Sequence, residues 1–313
     1  MKQVSFLIPC HYPGPELLKT IREAHRYLSA RFEAASFEII VIPNGETQSD
    51  PMSTHTQVAA NMPPDTRVLW DCPAIGKGAA LSHGVKAALG QWVFFTDADL
   101  PYDLSFFDEA SKRLRQGYDF VTGNRRLPSS RFQIPVPLLP LVYGRHRLGL
   151  AFNRVVRLLF PIRVNDTQAG IKAMTGEFAK AAFGAMRSHG FFFDIELFLY
   201  CEAQGCFHCE LPLQLTLRSE KSTVKLAREA VHSLIALARI RLAWARGLYG
   251  NSQRFQRASI RELLSRFGAG SSVGSKVFLV LRWALTPYGA MSRRLPPRGK
   301  ILDLGCGHGL FSW

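Results

Sequence analysis

Two aspartates separated by one small residue close an apolar segment of this sequence. The segment Trp92–Thr96 is followed directly by Asp97, Ala98 and Asp99. At the end of a strand both carboxylates can reach one hard cation together with phosphate oxygens, and Mg²⁺ is commonly held by few protein carboxylates with phosphate and water completing its shell. A solvated strand end or a helix cap would use the same residue types, and the pair alone does not decide between them. If the pair binds a metal, the chemistry is that of a divalent site, with Mg²⁺ or Mn²⁺ on Asp97 and Asp99.

A lysine between two glycines is a second candidate for anion chemistry. Gly76, Lys77 and Gly78 stand at the start of a segment with helical character. The first turn of such a helix can present backbone N–H groups to an anion. The spacing differs from the phosphate-binding loop of NTPases, which has a further glycine upstream and a Ser or Thr after the lysine. By itself the motif is also compatible with a plain turn.

Alternating strand and helix patterns predict the frame that must position these residues. Short apolar runs indicate strands and longer periodic runs indicate helices, at Val4–Ile8, Glu16–Phe32, Phe37–Ile42, Val68–Trp70, Lys77–Ala88 and Trp92–Thr96. This alternation is typical of an α/β fold with a mostly parallel sheet and right-handed crossovers. Ligands of such sheets bind beyond the carboxyl ends of the strands. Those ends carry Pro9–Tyr12, Asn44 and Asp97–Asp99.

Arginines crowd the middle of the chain. Residues 123–165 are rich in Arg and Pro and read as a long loop followed by a helix at Leu148–Leu159. Guanidinium groups match phosphate oxygens well, so these arginines predict a bound molecule that bears a phosphate, such as the acceptor of a transferred group. The alternative for any single arginine is a solvated basic loop. The arginines are Arg125, Arg126, Arg131, Arg145 and Arg147, of which we assign Arg131, Arg145 and Arg147 to the acceptor phosphate.

Seven short motifs occur in a fixed order along the first 225 residues. They are Leu7–Pro9, Glu38–Ile42, Gly76–Ala80, Phe94–Asp99, Gly123–Arg125, Asn165–Lys172 and Phe193–Leu197. Together they resemble the family 2 glycosyltransferases, especially the dolichyl-phosphate glucosyl- and mannosyltransferase branch. The resemblance implies a GT-A fold, which is a Rossmann-like, mostly parallel sheet flanked by helices. It also implies a UDP- or GDP-linked sugar donor, a divalent metal and inversion at the anomeric carbon.

The resemblance also implies roles for individual residues. Pro9 and Lys77 take positions of the nucleotide site, Asp97 and Asp99 those of the acidic pair on the sugar nucleotide and metal, and Arg125 that of a diphosphate partner. One departure concerns Asn44, which stands where the family commonly has the second Asp of Asp-Asp-Gly-Ser. Asn44 can hydrogen-bond a base or ribose but contributes no charge, so the identity of the donor base stays open.

Two further carboxylates are candidates for catalysis. Asp166 follows the strand-like segment Ile162–Val164 and lies in the motif next to the family's acceptor side. It would act as the general base if the acceptor were a hydroxyl, and would orient or help bind metal if the acceptor were a phosphate that is already ionised. A turn or N-cap aspartate is the structural alternative. Asp194 is the second candidate, and Glu196 beside it is equally suited to a buried ion pair.

The basic charge of the chain is concentrated in its last part. Residues 221–313 contain 16 Lys and Arg against 3 Asp and Glu, whereas residues 1–220 contain 23 against 21. Residues Glu220–Arg246 predict a basic amphipathic helix, suited either to an anionic membrane surface or to packing on the catalytic domain. The balanced charge of residues 1–220 argues against a nucleic-acid-binding protein.

The compartment is predicted from the cysteines and from the apolar segments. Six scattered cysteines in a chain of 313 residues do not form a disulfide framework and indicate reduced thiols. No signal peptide or apolar run long enough to span a bilayer stands out. We expect a cytoplasmic protein that associates peripherally with the inner face of the membrane.

The end of the chain carries a separate motif. Lys300–Gly309 resembles the first motif of class I S-adenosylmethionine methyltransferases, over only 13 or so residues before Trp313. A methyltransferase needs a complete doubly wound sheet, so only the truncated start of such a domain fits here. The expected division is a GT-A domain at 1–225, a basic helical extension or tail at 226–295 and the methyltransferase-like start at 296–313.

The function that these patterns predict is transfer of a hexose from a nucleotide-diphosphate sugar to a polyprenyl phosphate. Transfer to a sugar hydroxyl is the alternative within the same class of enzyme. Methylation and nucleic-acid binding are the rivals from other classes, the first disfavoured by the incomplete domain and the second by the charge distribution.

Overall fold

A computed structural model describes residues 2–11, 15–45, 60–162, 164–216 and 226–250. These residues belong to a compact unit that runs from Met1 to Asn251. The methyltransferase-like motif and most of the predicted extension lie outside the described residues, so the three-part division of the chain stays a prediction.

The strands of the described residues form one large and one small sheet. They are β1 (Val4–Cys10), β2 (Phe37–Pro43), β3 (Thr66–Val68), β4 (Trp92–Phe95), β5 (Phe120–Asn124), β6 (Arg131–Gln133), β7 (Lys172–Thr175), β8 (His208–Pro212) and β9 (Gln214–Thr216). The large sheet has the order β3-β2-β1-β4-β7-β5-β8, and β6 pairs with β9 separately. Strand β7 runs antiparallel to β4 and β5, while the other pairs of the large sheet are parallel. The expected mostly parallel α/β sheet is confirmed.

Helices cover both faces of the large sheet. They are α1 (Pro15–Ser29), α2 (Lys77–Ala87), α3 (Phe106–Arg115), α4 (Leu139–Leu159), α5 (Gly176–Ala185), α6 (Phe193–Gln204) and α7 (Leu226–Ala245), with a short 3₁₀ helix at Val136–Leu138. Helices α1 and α3 contribute to the hydrophobic core on one face. Helices α2, α5, α6 and α7 contribute to the core on the other face. The sheet is therefore packed between two hydrophobic cores, which hold the ends of its strands in place.

The strand order locates the edge where a ligand should bind. The chain passes from β1 to β2 and β3 on one side, and then places β4 on the other side of β1. In open α/β sheets this reversal opens a crevice beyond the carboxyl ends of the two central strands. Strand β1 ends at Cys10, next to the buried Pro9, and β4 ends at Phe95, two residues before Asp97.

Two sequence predictions in the middle of the chain are wrong. The expected loop at 123–165 contains the 21-residue helix α4, which begins at Leu139 and not at Leu148. Pro140 fits the first turn of a helix, where its missing N–H is not needed, and Gly144 and Gly149 obscured the pattern. The expected strand at 162–164 does not form where its backbone is described, because Ile162 and Val164 lie buried in irregular backbone.

The predicted helix at 220–246 is confirmed as α7 over its described part. Leu237, Ile240 and Ala243 are buried in the core of the domain, whereas Ile235 and Leu242 are exposed. The helix therefore packs on the rest of the compact unit and still leaves apolar side chains at the surface. No helix in the described ranges is both long and apolar enough to cross a membrane.

Candidate active site

A sharp turn at the end of β4 presents the two predicted acidic residues differently. Asp97 is half-buried and Asp99 is exposed. Leu100 directly after them has φ 44°, a left-handed conformation that is costly for a branched residue. The buried Thr20 of α1 donates a hydrogen bond from Oγ1 to the carbonyl oxygen of Ala98 at 2.7 Å. Helix α1 thus holds the turn from behind and leaves the carboxylate of Asp99 facing outward.

Lys77 at the start of α2 is paired with Asp97. Its Nζ donates to Oδ1 of Asp97. Burial lowers the pKa of Lys77, but the negative charges of Asp97 and Asp194 outweigh it, so the pKa is raised and the lysine stays charged. A Cβ on Gly170 would overlap Oδ2 of Asp97. Glycine at position 170 therefore lets the backbone approach and locate the carboxylate.

A second lysine continues this row of charges into the protein. Lys172 on β7 is fully buried and its Nζ lies 2.7 Å from Oδ1 of Asp194 and 2.5 Å from the carbonyl oxygen of Ala169. Burial raises the pKa of Asp194 against the charges of Lys172 and Lys77, and burial lowers the pKa of Lys172. Asp194 is thus locked by Lys172 at the inner end of the row, where it lies 5% exposed.

Arg125, directly after β5, and Asp166, in the segment before β7, form a bidentate ion pair. Nε and Nη2 of Arg125 lie 2.8 and 2.7 Å from the two Asp166 oxygens, and the Arg125 backbone N–H donates to the same carboxylate at 2.9 Å. Burial raises the pKa of Asp166, but the hydrogen bonds and charge of Arg125 outweigh it and lower the pKa below its ordinary value. Asp166 is therefore a weaker base than an ordinary carboxylate. The side chain of Arg125 remains 38% exposed, so part of it is open to a ligand.

The side chain of Asn44 is occupied by the chain itself. Its Nδ2 donates to the carbonyl oxygen of Ala74 at 2.6 Å, and its Oδ1 accepts the N–H of Gly76. Asn44 therefore fixes the turn before Lys77, and its expected hydrogen bond to a base or ribose stays a prediction. The N–H of Ala79 in the first turn of α2 donates to the carbonyl oxygen of His189 at 3.0 Å. One N–H of this first turn is therefore bound within the chain, and the expected contact of the turn with an anion stays a prediction.

The predicted acceptor arginines lie on different elements. Arg131 is exposed on β6 and lines a cleft of about 620 Å³ with Arg26 and Tyr102. Arg147 is exposed on α4, and the side chain of Arg145 is outside what the structure describes. Their assignment to an acceptor phosphate stays a prediction.

The acidic turn suits a divalent cation whose coordination shell is completed by oxygen atoms of the substrate. The described residues contain no cluster of three or more His, Cys, Asp or Glu that could hold a metal by themselves. Carboxylate oxygens are hard donors, and Mg²⁺ sites commonly use one or two carboxylates with substrate phosphates and water. Asp99, exposed beside the half-buried Asp97, has this chemistry. The donor set therefore fits Mg²⁺ or Mn²⁺ bound together with a diphosphate.

Two residues of the site were not assigned from the sequence. The hydroxyl oxygen of the buried Tyr102 accepts the N–H of Gly170 at 3.0 Å and so ties the segment after Asp99 to the glycine against Asp97. Lys172 locks Asp194, as described above. Lys172 carried a readable signal, because a lysine inside the apolar run Gly170–Met174 needs a buried partner, whereas Tyr102 carried none.

Glu210 on β8 is linked through Asn124 to the segment that follows β5. Its Oε1 accepts the Nδ2–H of Asn124 at 2.7 Å, and Oδ1 of Asn124 accepts the backbone N–H of Arg126 at 2.7 Å. Burial raises the pKa of Glu210 to about 7, with Asn124 lowering it and the charge of Asp166 raising it. The side chain is therefore protonated in the folded protein at a pH where it is ionised in the unfolded chain.

Glu210→Gln is expected to stabilise the protein at alkaline pH. Wild-type stability should fall as pH rises from the ordinary pKa of 4.5 to about 7, because the folded state then binds more protons than the unfolded state. Glutamine keeps the acceptor for Asn124 and removes this titration. We expect a gain of about 1–2 kcal/mol at pH 8, reduced by partial exposure, and none below pH ~4. Chemical denaturation across this pH range measures it, and a constant difference at every pH would contradict it.

Comparisons with known proteins agree with this geometry. The profile described as Glycosyl transferase family 2 matches residues 5–155. Glycosyltransferase AglD of Haloferax volcanii is 27% identical over 214 residues, which cover 67% of this chain and 32% of that protein. The dolichyl-phosphate beta-glucosyltransferase ALG5C of Trichomonas vaginalis is 25% identical over 222 residues, covering 67% of this chain and 63% of that protein. The chain thus spans about a third of the first relative and just under two thirds of the second.

Solved structures share the architecture. Glucosyl-3-phosphoglycerate synthase from Mycobacterium tuberculosis, in complex with Mn²⁺, UDP-glucose and phosphoglyceric acid, has a TM-score of 0.50 at 18% identity, covering 81% of this chain and 82% of that chain. The same synthase with phosphoglyceric acid alone has a TM-score of 0.50 at 17% identity, with the same coverage. At this identity the likeness concerns the fold. Residues 5–155 therefore form a glycosyl transferase family 2 domain, and the sheet topology and the solved neighbours show the GT-A fold.

Proposed function

We propose that this protein transfers a hexosyl group from a nucleotide-diphosphate sugar to the phosphate of a polyprenyl phosphate, with inversion at the anomeric carbon. The proposal rests chiefly on one observation. The Asp97–Lys77 pair lies at the switch point of the sheet with the exposed carboxylate of Asp99 beside it. This places a cation and an outward carboxylate where a diphosphate in the crevice would lie.

The donor half of the site has groups suited to a diphosphate. Lys77, with its raised pKa, keeps a positive charge that can bind a diphosphate oxygen. A divalent cation held by Asp99 and Asp97 would supply further positive charge to the departing diphosphate. Asn44 positions the turn that carries Lys77. The solved fold neighbour contains Mn²⁺ and UDP-glucose, which favours a UDP-sugar as the first donor to test.

The acceptor half favours a phosphate over a hydroxyl. A hydroxyl needs a base to remove its proton during attack, and Asp166 is a weakened base because Arg125 holds both its oxygens. A phosphate monoester has a second pKa near ~6 and is nucleophilic at neutral pH without a base. The relative from Trichomonas vaginalis is named for a dolichyl-phosphate acceptor. Both points support a polyprenyl phosphate here.

The proposed step balances without proton transfer. An oxygen of the acceptor phosphate attacks the anomeric carbon as the bond from that carbon to the diphosphate oxygen breaks. The nucleoside diphosphate leaves with the bonding electrons, and the configuration inverts because attack and departure are on opposite faces. Asp166 orients the acceptor side and holds Arg125, the diphosphate partner that the resemblance implies, whose guanidinium can bind a phosphate oxygen.

The proposal is tested with a matrix of donors and acceptors. Radiolabelled UDP-glucose and GDP-mannose are each incubated with polyprenyl phosphate, polyprenol or a free sugar, with and without Mn²⁺. We expect the radiolabelled sugar to be transferred to polyprenyl phosphate, and this transfer to require Mn²⁺. Label only in a free sugar would replace the proposed acceptor by a hydroxyl, and binding of neither donor would reject the donor site.

A further inference from the structure

Helix α4 exposes an apolar strip along most of its length. Leu148, Ala151, Val155, Leu158 and Leu159 are exposed and recur at helical spacing, so they share one side of the helix. Leu158 is 86% exposed and Leu148 is 51% exposed. The opposite side, with Asn153 and Val156, is buried against the domain. Helix α4 thus packs on the domain through one narrow side and exposes a second, apolar side to solvent.

The charges of α4 are of one sign. The helix contains Arg145, Arg147, Arg154 and Arg157 and no Asp or Glu. Arg147 and Arg154 are exposed, and their seven-residue spacing places them together along one border of the outward strip. An outward apolar strip bordered by arginines has the composition of helices that lie in the interface of an anionic bilayer.

The helix is tied directly to the site. Nη2 of Arg126 donates to the carbonyl oxygen of Gly149 on α4 at 2.9 Å, and Nη1 of Arg126 donates to the carbonyl oxygen of Asn165. Nη1 of Arg157 on α4 donates to Oδ1 of Asn165 at 2.7 Å. Asn165 precedes Asp166. Helix α4 itself therefore lies next to the Arg125–Asp166 pair.

We propose that α4 is a membrane-docking helix, whose strip of Leu148, Val155 and Leu158 enters the interface of an anionic bilayer while Arg147 and Arg154 contact lipid phosphates. This rests on the proposed function, because a polyprenyl phosphate presents its phosphate at a bilayer surface. A second copy of the chain fits less well, since pairing two such helices brings arginines of like charge together. Docking brings the Arg125–Asp166 pair to the level at which the acceptor phosphate lies.

The test compares two helices with the same chemical change. Leu148→Gln with Leu158→Gln removes apolar surface from α4, and Ile235→Gln with Leu242→Gln does so on α7, where those side chains are 49% and 51% exposed. Co-sedimentation uses vesicles of phosphatidylcholine alone or mixed with phosphatidylglycerol. We expect the α4 variant to lose binding to the mixed vesicles on the order of tenfold or more. Loss only in the α7 variant, or in neither, would overturn the proposal.

Charge variants and donor binding complete the experiment. Arg147→Gln with Arg154→Gln should weaken binding to the mixed vesicles and reduce its salt dependence, whereas Arg22→Gln with Lys86→Gln on other helices should not. An α4 variant that binds vesicles normally but turns from dimer to monomer would mean that a second copy covers the strip. UDP-glucose binding and thermal unfolding are measured for every variant. For the α4 variants we expect reduced vesicle binding with unchanged UDP-glucose binding. If the wild-type protein does not bind UDP-glucose, that result counts against the proposed function and not against the docking helix.

Discussion

Asp99→Ala is expected to lower metal-dependent turnover by about three orders of magnitude. Asp99 is exposed two residues after Asp97, which pairs with Lys77, and its carboxylate is a hard oxygen ligand. A metal that stabilises the leaving diphosphate contributes several kcal/mol to the transition state, and about 4 kcal/mol corresponds to a thousandfold change in rate. Steady-state assays over a range of Mn²⁺ concentrations measure the effect.

The control for this variant is Asp103→Ala. Asp103 is an exposed aspartate four residues further along, whose Oδ1 accepts the N–H of Ser105. Removing it changes the charge of the same segment without touching the turn. Both variants should unfold within about 0.5 kcal/mol of wild type, as surface substitutions usually do. Normal activity of Asp99→Ala at every metal concentration would show that Asp99 does not bind the metal.

The sequence is sufficient to predict the elements that carry Lys77 and the acidic turn. The alternation of apolar strands with helices predicts a mostly parallel sheet, and the acidic turn then falls at the carboxyl end of β4 for geometric reasons. The prediction of Lys77 at the start of α2 is confirmed for the same reason. These residues sit at the ends of regular elements, so local patterns are enough to place them.

Pairs of side chains that are far apart in the chain are not predictable from local sequence patterns. The partner of Arg125 is 41 residues away at Asp166, and no periodicity connects the two. The resemblance places Asn44, directly after β2, at the nucleotide, but it does not predict that both polar atoms of its side chain also contact the turn before α2. Such pairings depend on how loops close over the sheet edge, which is decided by tertiary packing and not by local propensity.

The buried lysine shows a different limit. Lys172 and Asp194 are brought together by the antiparallel strand β7 and the first turn of α6. The order of strands in the sheet places β7 between β4 and β5, although β7 comes after β5 in the chain. The sequence indicates that a lysine in an apolar run needs a partner, but only this topology identifies the partner.

Asp166→Asn is expected to lower both stability and activity. Asparagine keeps one acceptor for Arg125 but loses the charge, and removing one partner of a buried ion pair destabilises by up to about 3–5 kcal/mol. The side chain of Arg125 is 38% exposed, so we expect about 2–4 kcal/mol. Asp108→Asn is the matched control, since Asp108 also binds an arginine through two nitrogens but lies at the surface with Arg31. We expect about 1 kcal/mol or less there.

The pH dependence of this difference has a defined sign. Arg125 lowers the pKa of Asp166 below its ordinary value of 3.8. The stability contributed by the pair is therefore fully present above that value and is lost as the pH falls through the lower pKa of the folded state. Wild type and Asp166→Asn should converge in denaturation experiments at acidic pH. A difference that persists unchanged to the lowest pH at which both fold would contradict the ionic origin of the stabilisation.

The activity of Asp166→Asn distinguishes the two acceptors. If Asp166 removed a proton from a hydroxyl, its loss would lower the rate by about 10²–10⁴, and alkaline pH would recover part of it because the hydroxyl ionises more readily. If the acceptor is a phosphate, it is already ionised above pH ~7, so the ratio of variant to wild-type rate should not change with pH. We expect the constant ratio, measured on folded protein at saturating donor. An Asp166→Asn enzyme that recovers at alkaline pH on a free sugar and ignores polyprenyl phosphate would assign the hydroxyl as the true acceptor and Asp166 as its base.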